Sequence, residues 1–440
     1  MSSVGIHELL TFFIMVGVFG AGAFFLRLQI GISMMCGALA GVLVGGYLFP
    51  LDDLIRHLVE GMFSYLDPIL IIATATMFMF SIERSGLLST LAHWTIRAFR
   101  RVPIILLAAI TVVIMLPGML TGSSTAAVLT TGALMAPVLM HMGVPRDKTG
   151  AIIAMAALLG MAAPPVNIPA LIIGAGVDLP YVGLDLPLLV LTLVPALLCT
   201  WALGLPHCWK CATAGSDADL PRSVAAKHGA RLFLPLVLVV VLLVGERLFP
   251  GRIALGLPLI FMIGTLTGAL TGERFQLLPV SRDAFRAALP ILGILMGVGM
   301  FIQAMTLTGA RGEVVIQALR LPRGWTGLYP IIGTSLPLFG AVSSFGAASV
   351  LGVPFVLSLP TSSSVIIVNT AALSVIASLG DLMPPTALAG LFAAQVVGEP
   401  KYLRVLRWCI VPGILIAIMA LLAIQHAEFL ARYLVFIGGS

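Results

Sequence analysis

Of the 440 residues in this chain, 60% are hydrophobic and only 10% are charged, where a soluble domain carries roughly 25% charged residues. The shortfall excludes a soluble globular protein, because most of the chain has no aqueous surface to cover. The formal charge of +6 is not a nucleic-acid signal: Lys and Arg sit in short loops between apolar runs, where positive-inside bias accounts for them.

Several uncharged runs reach the ~20 residues needed to cross a bilayer core, so the chain reads as an all-α polytopic membrane protein. The first run, Ile6 to about Leu26, lacks a basic leading region and a small-residue cleavage pattern, and is read as a retained helix. In chain order, spans are expected at 6–26, 29–49, 64–83, 149–176, 186–204, 232–249, 254–272, 287–307, 362–398 and 408–428. Two further apolar stretches, 103–142 and 325–360, are each about two short limbs long with turn-forming residues in the middle. They read as re-entrant helical hairpins that leave on the side they enter. Segments 51–61, 85–100 and 310–322 mix charged with apolar residues at helical spacing. They suit interfacial helices, with Trp94 and Arg97 at headgroup level; short loops with helical turns are the plain alternative.

Charge tests the hairpin assumption. Residues 1–8 contain Glu8 and no Lys or Arg, which places the N-terminus outside. With both hairpins returning, most basic residues fall inside, among them Arg97, Arg101, Arg146, Lys148, Lys210 and Arg404. The outer loop after residue 176 is acidic, with Asp178 and Asp185. Reading either hairpin as a single span would reverse every later loop and the bias with it. The first hairpin then opens inward and the second outward, as an inverted repeat demands.

The repeat is legible in the residues. LPGMLTGSS at 116–124 and LPLFGAVSS at 336–344 share Leu, Pro and the Ser pair in one register, 220 positions apart. Gly160, Pro164 and Pro165 match Gly380, Pro384 and Pro385 at the same offset. Proline removes a backbone donor and breaks a helix, and in lipid the freed groups must find partners in protein, water or a cavity. Four broken segments at mid-depth are costly unless used. Freed amides at half-helix N-termini attract carboxylate or phosphate, and freed carbonyls with hydroxyls beside them suit hard cations such as Na+.

Ser123, Ser124, Thr125, Ser343 and Ser344 supply hydroxyls at the two turns. Thr149 and Asn369 share the offset of the repeat, and Asn167 follows the first double proline. For one isolated Ser or Thr the bland reading is a back-bond to the carbonyl four residues earlier; clustering at both breaks favours a site. Asp381 is the one acid in its run and a functional candidate by position. A cation ligand, a proton carrier and a helix cap are all open for it. His141 stands too far from Ser123 and Ser124 for a nucleophile–base pair. No Walker A, dinucleotide or HExxH pattern occurs, so no enzyme is expected. The polar stretch 205–231 reads as an inside linker, and Cys208 and Cys211 in its HCWKC motif as plain thiols.

The run 121–174 (TGSSTAAVLTTGALMAPVLMHMGVPRDKTGAIIAMAALLGMAAPPVNIPALIIG) resembles the first hairpin and broken helix of the large membrane subunit of TRAP transporters. The run 368–394 (VNTAALSVIASLGDLMPPTALAGLFAA) is similar to that family's second-repeat run. The wider group is the ion-transporter superfamily of elevator carriers. The resemblance implies Na+-driven uptake of an organic acid, often a C4-dicarboxylate or sialic acid, across the bacterial inner membrane. It implies a periplasmic solute receptor and a small membrane subunit as partners. By motif position it places Ser123, Ser124, Pro165, Asn167, Asn369 and Pro385 around the substrate and ion sites. With the turn hydroxyls and the residue after the second double proline, the candidate substrate site is Ser123, Ser124, Thr125, Pro165, Asn167, Ser344, Pro385 and Thr386. Candidate Na+ ligands are Ser123, Thr149, Ser343, Asn369 and Asp381, with backbone carbonyls.

Two departures stand out: GALTGER at 268–274 lacks the proline usual between the repeats, and Thr386 replaces a common glycine. They keep a single-component anion carrier or cation antiporter of the superfamily open as the alternative. An intramembrane enzyme or passive channel is the reading from another class. The organisation expected is scaffold helices at 1–63, a first inverted repeat at 64–204 and a cytoplasmic linker at 205–231. Scaffold helices at 232–286, a second repeat at 287–428 and a tail at 429–440 follow. The repeats contain hairpins 103–142 and 325–360 and broken helices 149–176 and 362–398.

Overall fold

Proline, glycine and serine punctuate a chain that is otherwise continuous helix. The computed structural model describes residues 3–46, 49–99, 101–208, 223–248, 255–322, 324–360, 362, 364–384 and 386–435. Among these there are no strands, and nine helices are long and apolar enough to cross a bilayer.

The first half opens with α1 (Ser3–Phe24), α2 (Ile30–Gly45), α3 (Leu51–Phe63), α4 (Leu66–Arg84) and α5 (Leu87–Phe99). Then α6 (Pro103–Thr121) starts with proline in its first turn, where no amide partner is lost, and stops at Gly122 with φ of 62°. The chain folds back there. A short α7 (Ser124–Ala127) and a π turn (Val128–Gly132) lead into α8 (Ala133–His141). Thr131 Oγ1 donates to the Ile114 carbonyl at 3.3 Å, so the second limb lies against the first. Next come α9 (Arg146–Ala162), a break through the Pro164–Pro165 cis bond, α10 (Ile168–Gly176) and α11 (Asp185–Cys208).

The second half holds α12 (Ala225–His228), α13 (Leu234–Leu248), α14 (Leu257–Thr271), the long α15 (Leu277–Leu307) and α16 (Ala310–Arg320). A second fold-back follows: α17 (Leu328–Gly340), α18 (Ser344–Ala347), a π turn (Ala348–Gly352) and α19 (Val353–Ser358). Then α20 (Val365–Ser378) closes in a 3-10 turn (Leu379–Leu382), and α21 (Leu388–Val396), α22 (Tyr402–Gln425) and α23 (Ala427–Leu434) complete the chain. The elements α7, π turn and α10 recur as α18, π turn and α21 at 220 positions to the residue.

Without a hydrophobic driving force between helices in lipid, small residues decide which backbones approach. One group of helices is joined this way: a Cβ at Gly31 would stand 2.4 Å from the Gly293 carbonyl of α15, and one at Gly61 would stand 2.7 Å from that of Gly299. The other group surrounds α9 and α20, whose residues are almost all buried. The halves interlock there, since Gly352 of the second π turn packs on Ile173 of α10. Of the segments 51–61, 85–100 and 310–322, the first lies within α3, and α5 and α16 cover Leu87–Phe99 and Ala310–Arg320 of the other two, with the Trp94 ring 5.0 Å from that of Phe233. Cys208 is buried, and Cys211 lies outside the described residues.

Candidate functional site

The two hairpin turns are built alike. In each, a serine in extended backbone caps the returning limb: Ser123 Oγ accepts from the Ala126 amide at 3.3 Å, and Ser343 Oγ from the Gly346 amide at 3.1 Å. These caps satisfy amides that the helix itself cannot. The next serine in each turn points across the molecule. Ser124 Oγ donates to Asp381 Oδ2 at 2.6 Å, and the Ser344 hydroxyl interacts with the same carboxyl group. Two hydroxyls related by the repeat thus converge on one acid.

Asp381 lies in the 3-10 turn that closes α20 and is 7% exposed. Among the described residues no Lys or Arg pairs with it. A buried carboxylate without a counter-charge is costly. Hydroxyl donors offset part of that cost. All-oxygen surroundings of this kind fit a hard cation.

The two breaks differ. In the first, Asn167 caps α10, its Oδ1 accepting from the Ala170 amide at 2.9 Å. Its Nδ2 donates to the Ala162 carbonyl at 2.6 Å and to Ser374 Oγ at 3.0 Å, about two helical turns before Asp381 on α20. The Asn167 amide donates to the Tyr181 hydroxyl at 3.2 Å. Pro165 sits in this break, half-buried. In the second break, Thr386 Oγ1 donates to the Ala341 carbonyl at 2.7 Å, tying the break to the second hairpin turn. There α21 follows Ala387, a residue at φ 40° that supplies no side-chain cap. The leading amides of α21 therefore face the break at the positive end of the helix dipole. Pro385 lies outside the described residues.

The structure brings Ser124, Ser344 and Asp381 together, with Ser123, Thr125, Ser343 and Thr386 in the same turns and break. It does not bring Thr149 and Asn369 to them. Both lie near the other ends of α9 and α20, about 20 Å of helix axis from the breaks. Thr149 Oγ1 donates to the Val144 carbonyl at 3.3 Å, and Asn369 Nδ2 to the Pro360 carbonyl at 3.0 Å. Asn369 Oδ1 and Thr370 Oγ1 are buried without a hydrogen-bond partner. Sequence reasoning missed Ser374 and Tyr181. At the offset of the repeat, Ser374 falls on Ala154 and Asn167 on Ala387, so the offset that exposed the other residues was silent about this contact.

A family model described as "Tripartite ATP-independent periplasmic transporter, DctM component" matches residues 108–429, which hold both turns, both breaks and Asp381. The chain belongs to this family. As a DctM component it is a multi-pass membrane protein of a transporter family, and the family is not one of enzymes. None of the curated proteins compared matches it. Among solved structures, the YdaH transporter of Alcanivorax borkumensis is similar with a TM-score of 0.67, over 92% of this chain and 99% of that one, at 16% sequence identity. That likeness is one of fold. The DctM-family assignment rests on the family model.

Proposed function

We propose that this DctM component imports a carboxylated organic solute together with Na+, across the bacterial inner membrane and with its N-terminus in the periplasm. A periplasmic receptor delivers the solute and a small membrane subunit completes the complex. The observation that carries this reading is the meeting of Ser124, Ser344 and Asp381 beside the uncapped start of α21. Na+ held at the Asp381 carboxylate balances its charge, which removes the repulsion a substrate carboxylate would otherwise meet there. The substrate carboxylate then takes the leading amides of α21 and the Thr386 region. Ion and anion each lower the cost of binding the other, which is coupling.

On this reading the recurring elements are inverted repeats with the domain limits given above. Helices around α9 and α20 form a transport domain that moves as an elevator against the α2–α3–α15 group. Fold-back turns built alike in both halves support it.

The experiment is uptake of a radiolabelled C4-dicarboxylate or sialic acid by proteoliposomes holding this chain, with and without its receptor and small subunit. Uptake is expected only with an inward Na+ gradient and all three components. Uptake by the chain alone would establish the single-component carrier instead. Flux indifferent to the Na+ gradient would end the coupled-carrier reading.

A further inference from the structure

Half-helix α10 is held at both ends. Asn167 ties its N-terminus to Ser374. At its other end, the last backbone carbonyls form the negative pole of the helix. One of these, at Gly176, and the Ile172 carbonyl four residues earlier and so on the same face, accept from side chains outside the helix group around α9 and α20. The Tyr65 hydroxyl donates to the Ile172 carbonyl at 3.0 Å, and Arg311 Nη2 donates to the Gly176 carbonyl at 2.5 Å. Tyr65 is 2% exposed and directly precedes α4. Arg311 lies in the first turn of α16.

We propose that Tyr65 and Arg311 are positioning residues: they fix α10 against α4 and α16, and through it set where Asn167 stands in the first break. Nine helical residues are short and stiff, about 13 Å from end to end, so a displacement at Gly176 is delivered to Asn167. Charge makes the Arg311 bond the stronger of the two, and four-residue spacing makes the pair resist rotation of α10 as well as translation. The inference rests on the carrier reading only for its consequence: movement of the α9–α20 group past the first group requires release of these two bonds.

Hydrogen–deuterium exchange on the full chain in detergent micelles tests the proposal and needs no cargo. In Arg311→Gln and in Tyr65→Phe, amides of 168–176 are expected to exchange about tenfold faster, the effect of losing one hydrogen bond of this kind. The acceleration should reach Ala170 and Leu171 beside Asn167, with α2 and α15 unchanged. Arg311→Lys keeps a cationic donor and is expected to exchange more slowly than Arg311→Gln. Three results would overturn the proposal: unchanged exchange over 168–176 in both variants, acceleration confined to the last turn of α10, or equal acceleration in α2 and α15. The last two describe local fraying and general loosening, neither of which positions Asn167. Because no transport is measured, this outcome stands apart from that of the Na+ experiment.

Discussion

Ser124 and Asp381 are 257 positions apart in the chain and bonded at 2.6 Å. Their bond sets a first expectation. Asp381→Asn keeps the shape and an acceptor oxygen but removes the charge that would hold a cation. NaCl, compared with choline chloride, should raise the thermal midpoint of the native chain through binding to the folded state, and should leave that of Asp381→Asn unmoved. Equal Na+ responses would take Asp381 out of the ion site. A second residue-scale expectation concerns Asp147, in the first turn of α9 and ahead of the apolar span expected from residue 149. Burial pushes the Asp147 carboxyl up. Hydrogen bonds from Trp408 Nε1 at 2.8 Å and Arg407 Nη2 at 2.9 Å, the Lys148 amide and the Arg407 charge pull it further down, to a net value below the ordinary 3.8. A depressed carboxyl adds stability that is complete above its unfolded value and lost as pH falls through its folded one. Acid titration of the thermal midpoint should therefore show a loss below pH 3.8 that is smaller in Asp147→Asn. Parallel curves would mean that these contacts add nothing.

Among elements, the hairpins seat on the breaks through glycine. A Cβ at Gly380 would stand 2.4 Å from the Gly340 backbone, and one at Gly160 would stand 2.5 Å from the Met115 carbonyl. Backbone atoms cannot rotate away as a side chain can, so Gly380→Ala must push α17 off the 3-10 turn that carries Asp381. Overpacking of this kind costs about 1–3 kcal/mol, and a lowered thermal midpoint is expected. Gly413 of α22 has open space around it, so Gly413→Ala should raise stability by roughly 0.5–1 kcal/mol through helix propensity. A Gly380→Ala midpoint at or above that of Gly413→Ala would disprove close seating. The same residues explain what could be read beforehand. Pro117, Gly122 and the Ser pair act on the backbone within a few positions of themselves, so their turn was visible in the sequence. Nothing local to Asn167 announces Ser374, and nothing local to Ile172 announces Tyr65, because those contacts join segments remote in the chain.

For the molecule as a whole, the proposed topology predicts sidedness. In a cysteine-free background, Asp178→Cys should react with a membrane-impermeant maleimide added to intact cells, and Lys227→Cys only after the membrane is opened. The reverse pattern would invert the assignment, and labelling of both from outside would break the hairpin model. Sequence alone determined that this chain is an all-helical membrane protein, because hydropathy and charge are additive along the chain and need no folded partner. It also pointed to the fold-back at Gly122 and to the first double-proline break, but not to every helix end: Pro117 and Pro337, read as helix breakers, lie inside α6 and α17, which run on to Thr121 and Gly340. Only the tertiary structure decided that serines from both turns meet on Asp381, that Thr149 and Asn369 stand a helix length away, and that α10 is gripped by Tyr65 and Arg311. Hydrogen-bond geometry depends on how segments hundreds of positions apart pack in space, and a one-dimensional offset carries no information about which of its matched residues will touch.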